Sequence, residues 1–143
     1  ARRDDGTILM ERHYKHCLGR VILTSPAGSV DQGETPLEAA CRELLEETGF
    51  VAWNWSKLGS FVVDGTRGIC TAHLFLAEGL RQDNVPEAND MEEFELTFLT
   101  PNQIRQAFYC GEIPLLPDLA LLSYLFDVEG TQQEMTEPGE VKK

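Results

Sequence analysis

The sequence has few of the features that mark a membrane-spanning, exported or nucleic-acid-binding protein. No apolar run approaches the roughly 18 residues that a membrane-spanning helix needs, and the N-terminal Ala-Arg-Arg-Asp-Asp-Gly has no apolar signal core. Lys and Arg number 12 against 24 Asp and Glu, a net charge of −12, which disfavours a broad phosphate-backbone surface. We therefore expect a cytoplasmic protein that binds neither membrane nor nucleic acid.

Cysteine and histidine are scarce and scattered. The chain has four cysteines and three histidines, with no Cys-x-x-Cys pair and no Cys/His spacing typical of zinc. This pattern predicts reduced thiols in the protein core rather than disulfides or a zinc site. The cysteines are Cys17, Cys41, Cys70 and Cys110.

The order of predicted elements indicates an α/β fold. A chain of 143 residues fits one domain with one core, which we expect over residues 1–126, followed by an acidic, mobile tail over 127–143. Strands surround one early helix and further helices close the chain, which predicts a mixed sheet sandwiched between helices. Residues Leu80–Asp90 are predicted to form a polar loop. Strands are predicted at Thr7–Arg12, Arg20–Thr24, Phe50–Trp55, Leu58–Val63, Ile69–Ala77 and Phe94–Leu99, and later helices from Thr100 to about Cys110 and over Leu116–Phe126.

The early helix has clear start and stop signals. Thr35 is a predicted N-cap, Pro36 takes the first helical position, and Glu38 completes a capping box. Gly49 is the predicted stop. Its predicted buried stripe consists of Leu37, Ala40, Cys41 and Leu44.

Three glutamates of this helix predict a metal site. Glu43, Glu46 and Glu47 stand at relative positions i, i+3 and i+4, so their carboxylates share one face, and the last turn of a helix disfavours negative charge. A hard divalent cation, which prefers oxygen ligands, would relieve the repulsion. Arg42 can pair with Glu34 of the preceding loop. The alternative is a solvated acidic surface with no function.

These residues resemble the signature of the Nudix hydrolase family, and the strand order resembles that family over roughly residues 7–126. The resemblance implies Mg²⁺- or Mn²⁺-dependent hydrolysis of a nucleoside diphosphate linked to another moiety. It implies metal ligands at Glu43, Glu46, Glu47 and the main-chain oxygen of Ala27, with catalytic roles for Glu46 and Glu47. Gly28, Glu34 and Arg42 would support and orient these ligands. The signature positions are filled by Gly28, Glu34, Arg42, Glu43, Leu44, Glu46, Glu47, Gly49 and Phe50.

The general base is expected in a later acidic segment, Asp90–Glu95. In the ADP-ribose pyrophosphatase branch of the family, the base often lies just before a late strand. Glu92 stands at that place here, with Glu93 and Glu95 as alternatives. A solvated acidic loop would account for the same residues without a catalytic role.

Substrate contacts are predicted at three basic residues. The segment from Arg12 to Lys15 resembles the Arg-Gln-Tyr-Arg run of the ADP-ribose pyrophosphatase branch, with His13 in place of Gln and Lys15 in place of the second Arg. Thr24 stands where that branch has Glu. Arg67, in a turn, could clamp phosphate or could be an ordinary solvated side chain.

The substrate class implied by the resemblance is a nucleotide sugar such as ADP-ribose. A nucleoside triphosphate, or a nucleotide sensed without turnover, are the alternatives. That branch usually carries an N-terminal subdomain, for which we expect no room before a first strand near Thr7. The sequence allows a homodimer, because Trp53 and Trp55 share one face of a strand and predict core or dimer packing.

Overall fold

The computed structural model describes residues 1–83 and 94–127. Within these residues lie five strands, three α-helices and a short 3₁₀ helix at His16–Leu18. The predicted tail lies outside them, apart from Asp127, which ends the last helix. The strands are β1 (Ile8–Lys15), β2 (Arg20–Thr24), β3 (Phe50–Asp64), β4 (Ile69–Gln82) and β5 (Phe94–Leu99), and the helices are α1 (Pro36–Thr48), α2 (Pro101–Tyr109) and α3 (Leu116–Asp127).

The strands form two sheets. In the first, β1 is central and pairs with β2 on one side and β5 on the other, and in the second β3 pairs with β4. All of these pairings are antiparallel. The N-terminal residues connect the sheets, because the carbonyl of Ala1 accepts from the Leu9 amide at 2.9 Å and the Arg2 amide donates to the Ala77 carbonyl at 2.8 Å.

Successive side chains of β1 point to opposite faces, as in any strand, and this divides the core in two. Ile8 and Met10 pack in one cluster with Ile104 of α2 and Leu122 of α3. Leu9 packs in the other cluster, which includes Leu44 of α1, Phe50 and Ala77. Helices therefore cover both faces of the β1 sheet, and the predicted sandwiched α/β fold is confirmed.

Helix α1 begins and ends where the sequence predicts. The Thr35 hydroxyl accepts from the Glu38 amide, and the Glu38 carboxylate accepts from the Thr35 amide at 2.8 Å, which completes the capping box. Gly49 adopts a left-handed conformation, with φ of 71°, and its amide donates to the Leu45 carbonyl. A residue with a side chain is strained at that φ, so glycine is the favoured stop.

The predicted buried stripe of α1 is wrong except at Leu44. Leu37 is 41% exposed, Cys41 is exposed and Ala40 is only partly buried. Leu44 shares the buried face with Ala39 and Thr48. The helix packs on the β1 sheet and the β3–β4 hairpin through the face that carries Ala39, Leu44 and Thr48, whereas Leu37, Glu38 and Cys41 face solvent.

Two strand predictions also need correction. The segments Phe50–Trp55 and Leu58–Val63 belong to one strand, β3, which has an irregularity in its register between Lys57 and Gly59. Leu80–Gln82 belongs to β4 rather than to a loop. The remainder of that predicted loop lies outside the described residues, except Asp83.

Several apolar and sulfur side chains predicted in the core are exposed. All four cysteines are free, as predicted, but none is buried. Trp55 packs at the edge of the core, whereas Trp53 is 69% exposed and lies under the Arg81 guanidinium at 5.2 Å. A core position for Trp53 is therefore wrong. No helix within the described residues is long and apolar enough to cross a membrane.

Candidate active site

The loop after β2 is anchored to two helices. The Ser25 amide donates to Asp118 Oδ1 of α3 at 2.9 Å, and the Asp118 side chain is buried, which raises the pKa of its carboxyl. Two residues later, the Ala27 amide donates to Glu47 Oε2 of α1 at 2.9 Å. These bonds hold the Ala27 main chain against the carboxylate face of α1.

Gly28 lies directly against the side chain of Glu43. A Cβ atom built on Gly28 would overlap the Glu43 carboxylate group, so no larger residue fits without displacing that carboxylate. The close approach brings the loop backbone and the Glu43 carboxylate together. This close packing explains why the residue at position 28 is glycine, which has no Cβ atom.

Arg42 connects the loop to the acidic face of α1. Its Nε and Nη2 atoms donate to the two carboxylate oxygens of Glu34 at 3.0 and 3.1 Å, so the predicted pair is confirmed and is bidentate. Nη2 also donates to the Ser29 carbonyl at 2.9 Å. Nη1 donates to Glu43 at 2.8 Å and to Glu46 at 3.1 Å. All five N–H donors of the guanidinium are thus used.

The carboxyl groups around Arg42 are in unequal environments. The hydrogen bonds from Arg42, together with the Asp31 amide, lower the pKa of Glu34. Burial raises the pKa of Glu47 to about 7, and the charges of Glu43 and Glu46 add to this against the bond from the Ala27 amide. Arg42 therefore offsets part of the repulsion among these carboxylates. The charged form of Glu47 stays unfavourable, and a nearby cation would stabilise it.

Glu11 of β1 also belongs to this region, and sequence reasoning missed it. Its side chain is buried, with 6% of the residue exposed, and its Oε1 atom has no hydrogen-bond partner among residues 1–83 and 94–127. Burial raises its pKa to about 8, and Glu47, Asp118 and Glu43 raise it further against the opposing charge of Lys15. No sequence signal could have found it, because Ile8, Leu9 and Met10 are all apolar and do not mark which face of β1 meets α1.

The alternation of β1 separates the predicted basic residues. Lys15 lies on the same face of β1 as Leu9 and Glu11, and its charge acts on both Glu11 and Glu47. Arg12 lies on the opposite face of β1, and its Nη1 atom donates to Glu112 at 3.0 Å. The structure therefore brings Lys15, and not Arg12, to the carboxylate face.

The other predicted residues are not gathered at α1. Glu95 of β5 lies opposite Arg12 of β1 in the strand register, on the same face of the sheet. Arg67 lies in the β3–β4 turn, where it pairs with Asp64 at 3.4 Å, roughly 45 Å along the strand from Phe50 at about 3.3 Å per residue. Glu92 and Glu93 lie outside the described residues, so their predicted catalytic role stays a prediction.

Two departures from the ADP-ribose pyrophosphatase pattern contact each other. Thr24 Oγ1 lies 3.2 Å from His13 Nε2, and both side chains are buried. His13 stands where that branch has Gln, and Thr24 where it has Glu. The two exchanged residues are therefore in polar contact with each other in this chain.

The donor chemistry fits a hard divalent cation. The described side chains form no ready-made group in which three His, Cys, Asp or Glu residues meet at one point. Oxygen donors nevertheless predominate, negative charge exceeds positive charge around Glu47, and one buried carboxylate oxygen has no partner in the described part of the chain. Mg²⁺ and Mn²⁺ prefer such oxygen ligands, and Glu43, Glu46, Glu47 and the Ala27 carbonyl would hold the ion.

Comparisons with known proteins relate the chain to ADP-ribose pyrophosphatases. The chain is 36% identical to an ADP-ribose pyrophosphatase of Bacillus subtilis (strain 168) over 91 residues, which are 64% of this chain and 49% of that protein. It is 39% identical to an ADP-ribose pyrophosphatase of Mycobacterium tuberculosis (strain ATCC 25618 / H37Rv) over 97 residues, 66% of this chain and 45% of that one. The chain thus spans about half the length of these relatives.

A solved structure and a family match identify the fold. The crystal structure of an ADP compounds hydrolase superposes with a TM-score of 0.73 at 19% identity, covering 87% of this chain and 68% of that one. At that identity the likeness concerns the fold alone. The NUDIX domain matches residues 1–119. With the signature, the fold and this match in agreement, the chain belongs to the Nudix family.

Proposed function

We propose that this chain hydrolyses the pyrophosphate bond of a nucleoside diphosphate derivative with Mg²⁺ or Mn²⁺. The observation that supports this proposal most is the packing of the Ala27–Gly28 backbone against the carboxylates of Glu43 and Glu47. The Ala27 amide and Gly28 lie there against carboxylate oxygens, in an excess of negative charge around Glu47. Such a surface repels a pyrophosphate unless a cation lies between them.

The residues around Arg42 have distinct roles in this proposal. Glu43, Glu46 and Glu47 hold the cation together with the Ala27 carbonyl, and Arg42 with Glu34 fixes the loop and α1 in register. When bound, Mg²⁺ or Mn²⁺ neutralises charge on the pyrophosphate and makes a water molecule more acidic. Glu92 is the proposed general base, with Glu93 and Glu95 as alternatives.

Lys15 is the basic residue best placed to meet a phosphate group. It lies on the α1 side of β1, where its charge already acts on Glu11 and Glu47. Lys binds phosphate as a point charge and lacks the bidentate fork of Arg. Arg12 and Arg67 remain predicted substrate contacts, although one lies on the other face of the sheet and the other at the hairpin tip.

A nucleotide sugar of the ADP-ribose type is the proposed substrate class. The two similar proteins of Bacillus subtilis and Mycobacterium tuberculosis are named ADP-ribose pyrophosphatases, and the segment Arg12–Lys15 retains two basic residues of that branch's pattern. Hydrolysis of ADP-ribose at the pyrophosphate would give AMP and ribose 5-phosphate. Nucleoside triphosphates are the competing substrates to be compared.

The test is turnover of a substrate panel by the purified chain. ADP-ribose, other nucleotide sugars, dinucleoside polyphosphates and nucleoside triphosphates are incubated with Mg²⁺, with Mn²⁺ or with a chelator, and products are separated by chromatography. We expect metal-dependent release of two monophosphates from at least one nucleotide sugar. Folded protein that cleaves no member of the panel contradicts the proposal, and cleavage of triphosphates alone refutes the substrate class.

The variant Glu47→Gln separates an enzyme from a nucleotide sensor. Loss of several kcal/mol of charge stabilisation at the metal corresponds to a fall in turnover of about 10²-fold or more. The matched control is Glu38→Gln on the same helix, where Gln preserves the capping box and turnover should not change. Nucleotide binding that persists in Glu47→Gln, without turnover in the wild type, would indicate a sensor.

A further inference from the structure

Glu11 is a carboxyl group whose position the Nudix signature does not explain. It lies in the middle of β1, between Leu9 and His13 on the strand face that packs toward α1. The residue is 6% exposed, and its Oε1 atom has no hydrogen-bond partner within the part of the chain that the structure describes. A buried polar atom without a partner is costly, and native proteins retain one rarely without a functional reason.

The charges around Glu11 are mainly negative. The carboxyl groups that act on it are Glu47 and Glu43 from α1 and Asp118 from α3, and Lys15 is the opposing cation. Two of these neighbours are already engaged elsewhere: Glu47 accepts from the Ala27 amide and Asp118 from the Ser25 amide. A further positive charge at this place would lower the free energy of all of these carboxylates together.

The site thus has two sides. Helix α1 supplies Glu43 and Glu47 from one side, and β1 supplies Glu11 from the sheet beneath. Arg42 donates to Glu43 and Glu46, and no described hydrogen bond or ion pair joins it to Glu11. A divalent cation is the ligand class that would use an unpartnered carboxylate oxygen next to other carboxylates.

We propose that Glu11 is an additional ligand of the divalent cation, supplied by the sheet and lying outside the helix signature. This inference rests on the proposed metal-dependent function and extends its ligand set. Glu11 would hold the ion through Oε1, the oxygen that has no partner in the described residues. Removal of the carboxylate then weakens metal binding itself, before any substrate is present.

Manganese binding to the substrate-free protein tests the proposal. Free Mn²⁺ is measured by electron paramagnetic resonance during titration of the wild type and Glu11→Gln at one pH, with circular dichroism to verify folding. We expect the substitution to weaken the tightest Mn²⁺ site by at least about 10-fold, comparable with the loss of a metal-orienting residue. The rise in Tm that Mn²⁺ produces in the wild type should shrink accordingly.

Two further variants keep the test decisive. Glu78→Gln makes the same charge change at a half-exposed strand residue that pairs with Arg2, and its Mn²⁺ affinity should stay within about twofold of the wild type. Glu11→Asp retains the charge but shortens the side chain, so it should give an intermediate affinity and serves if Glu11→Gln does not fold. Wild-type affinity in both Glu11 variants overturns the proposal.

The outcomes also distinguish this inference from the proposed function. If Glu11 only donates a proton to a neighbouring carboxylate, Gln preserves a donor and Mn²⁺ binding is unchanged, which refutes the ligand role. If the wild type cleaves ADP-ribose while Glu11→Gln binds Mn²⁺ normally, the function stands and the inference fails. If no substrate is cleaved but Glu11→Gln loses Mn²⁺ binding, the inference stands and the function fails.

Discussion

The free energy of unfolding of the metal-free protein is expected to fall as the pH rises from about 5 to 8. Burial, with neighbouring carboxylates, raises the pKa of Glu11 to about 8 and of Glu47 to about 7 from the ordinary glutamate value of 4.5. In this window the folded protein therefore holds protons that the unfolded chain has released. Stability decreases with pH wherever the folded state binds more protons than the unfolded state.

The expected size follows from the two carboxyl groups. Each pKa unit corresponds to about 1.4 kcal/mol, so the difference between 4.5 and about 8 gives Glu11 an upper bound of roughly 5 kcal/mol. The contributions of Glu11 and Glu47 do not add, because each charge raises the pKa of the other. We expect a combined loss of about 2–5 kcal/mol across the window.

Urea unfolding followed by tryptophan fluorescence, with a chelator present, measures this slope. Glu11→Gln should flatten it and should be more stable than the wild type at pH 8, whereas Glu78→Gln should keep the wild-type slope. Parallel wild-type and Glu11→Gln curves would refute the reasoning.

Substitutions at three further positions test the anchoring of the loop. Gly28→Ala forces the Glu43 carboxylate aside; because that group ends a flexible side chain, the loss should appear in Mn²⁺ affinity, about 10–100-fold, more than in the free energy of unfolding, and unchanged Mn²⁺ affinity would contradict the steric explanation. Arg42→Lys retains the charge but loses the fork to Glu34, so Mn²⁺ affinity by calorimetry should fall about 10–100-fold. Asp118→Ala deprives a loop amide of its acceptor and should cost about 1–3 kcal/mol, whereas Asp118→Asn keeps an acceptor and should cost less.

Local chemistry made α1 predictable. Its N-cap, capping box and glycine stop depend on residues within a few positions of one another, and all three are present. The pairing of Arg42 with Glu34 was predictable for a similar reason, because only eight positions separate them. The signature residues therefore required little knowledge of tertiary structure.

The part of the site that β1 contributes depends on long-range packing. The segment Ile8–Leu9–Met10 is apolar on both faces of β1, so its sequence does not indicate which face meets α1 or where Glu11 points. That assignment comes from the contact of Leu9 with Leu44. The same alternation places Lys15 and Arg12 on opposite faces of β1, although the sequence predicts a substrate contact for both.

The exposed apolar residues of the β3–β4 hairpin have a related cause. The apolar content predicted strands here, although with other bounds, but strand residues are buried only where another layer covers them. The hairpin extends beyond that cover, so Phe61, Val62, Val63 and Ile69 are 41 to 60% exposed. Hydrophobicity alone could not indicate where the cover ends.

Hydrolysis of ADP-ribose in ¹⁸O-labelled water tests the central claim most directly. With Mg²⁺ or Mn²⁺, the purified chain should convert ADP-ribose to AMP and ribose 5-phosphate, and mass spectrometry should find one ¹⁸O atom in one of the two products. Chelation, or the variant Glu47→Gln, should abolish or greatly slow this reaction while Glu38→Gln retains it. Metal-independent cleavage, or equal activity in Glu47→Gln, would contradict a metal-dependent pyrophosphate hydrolysis at α1.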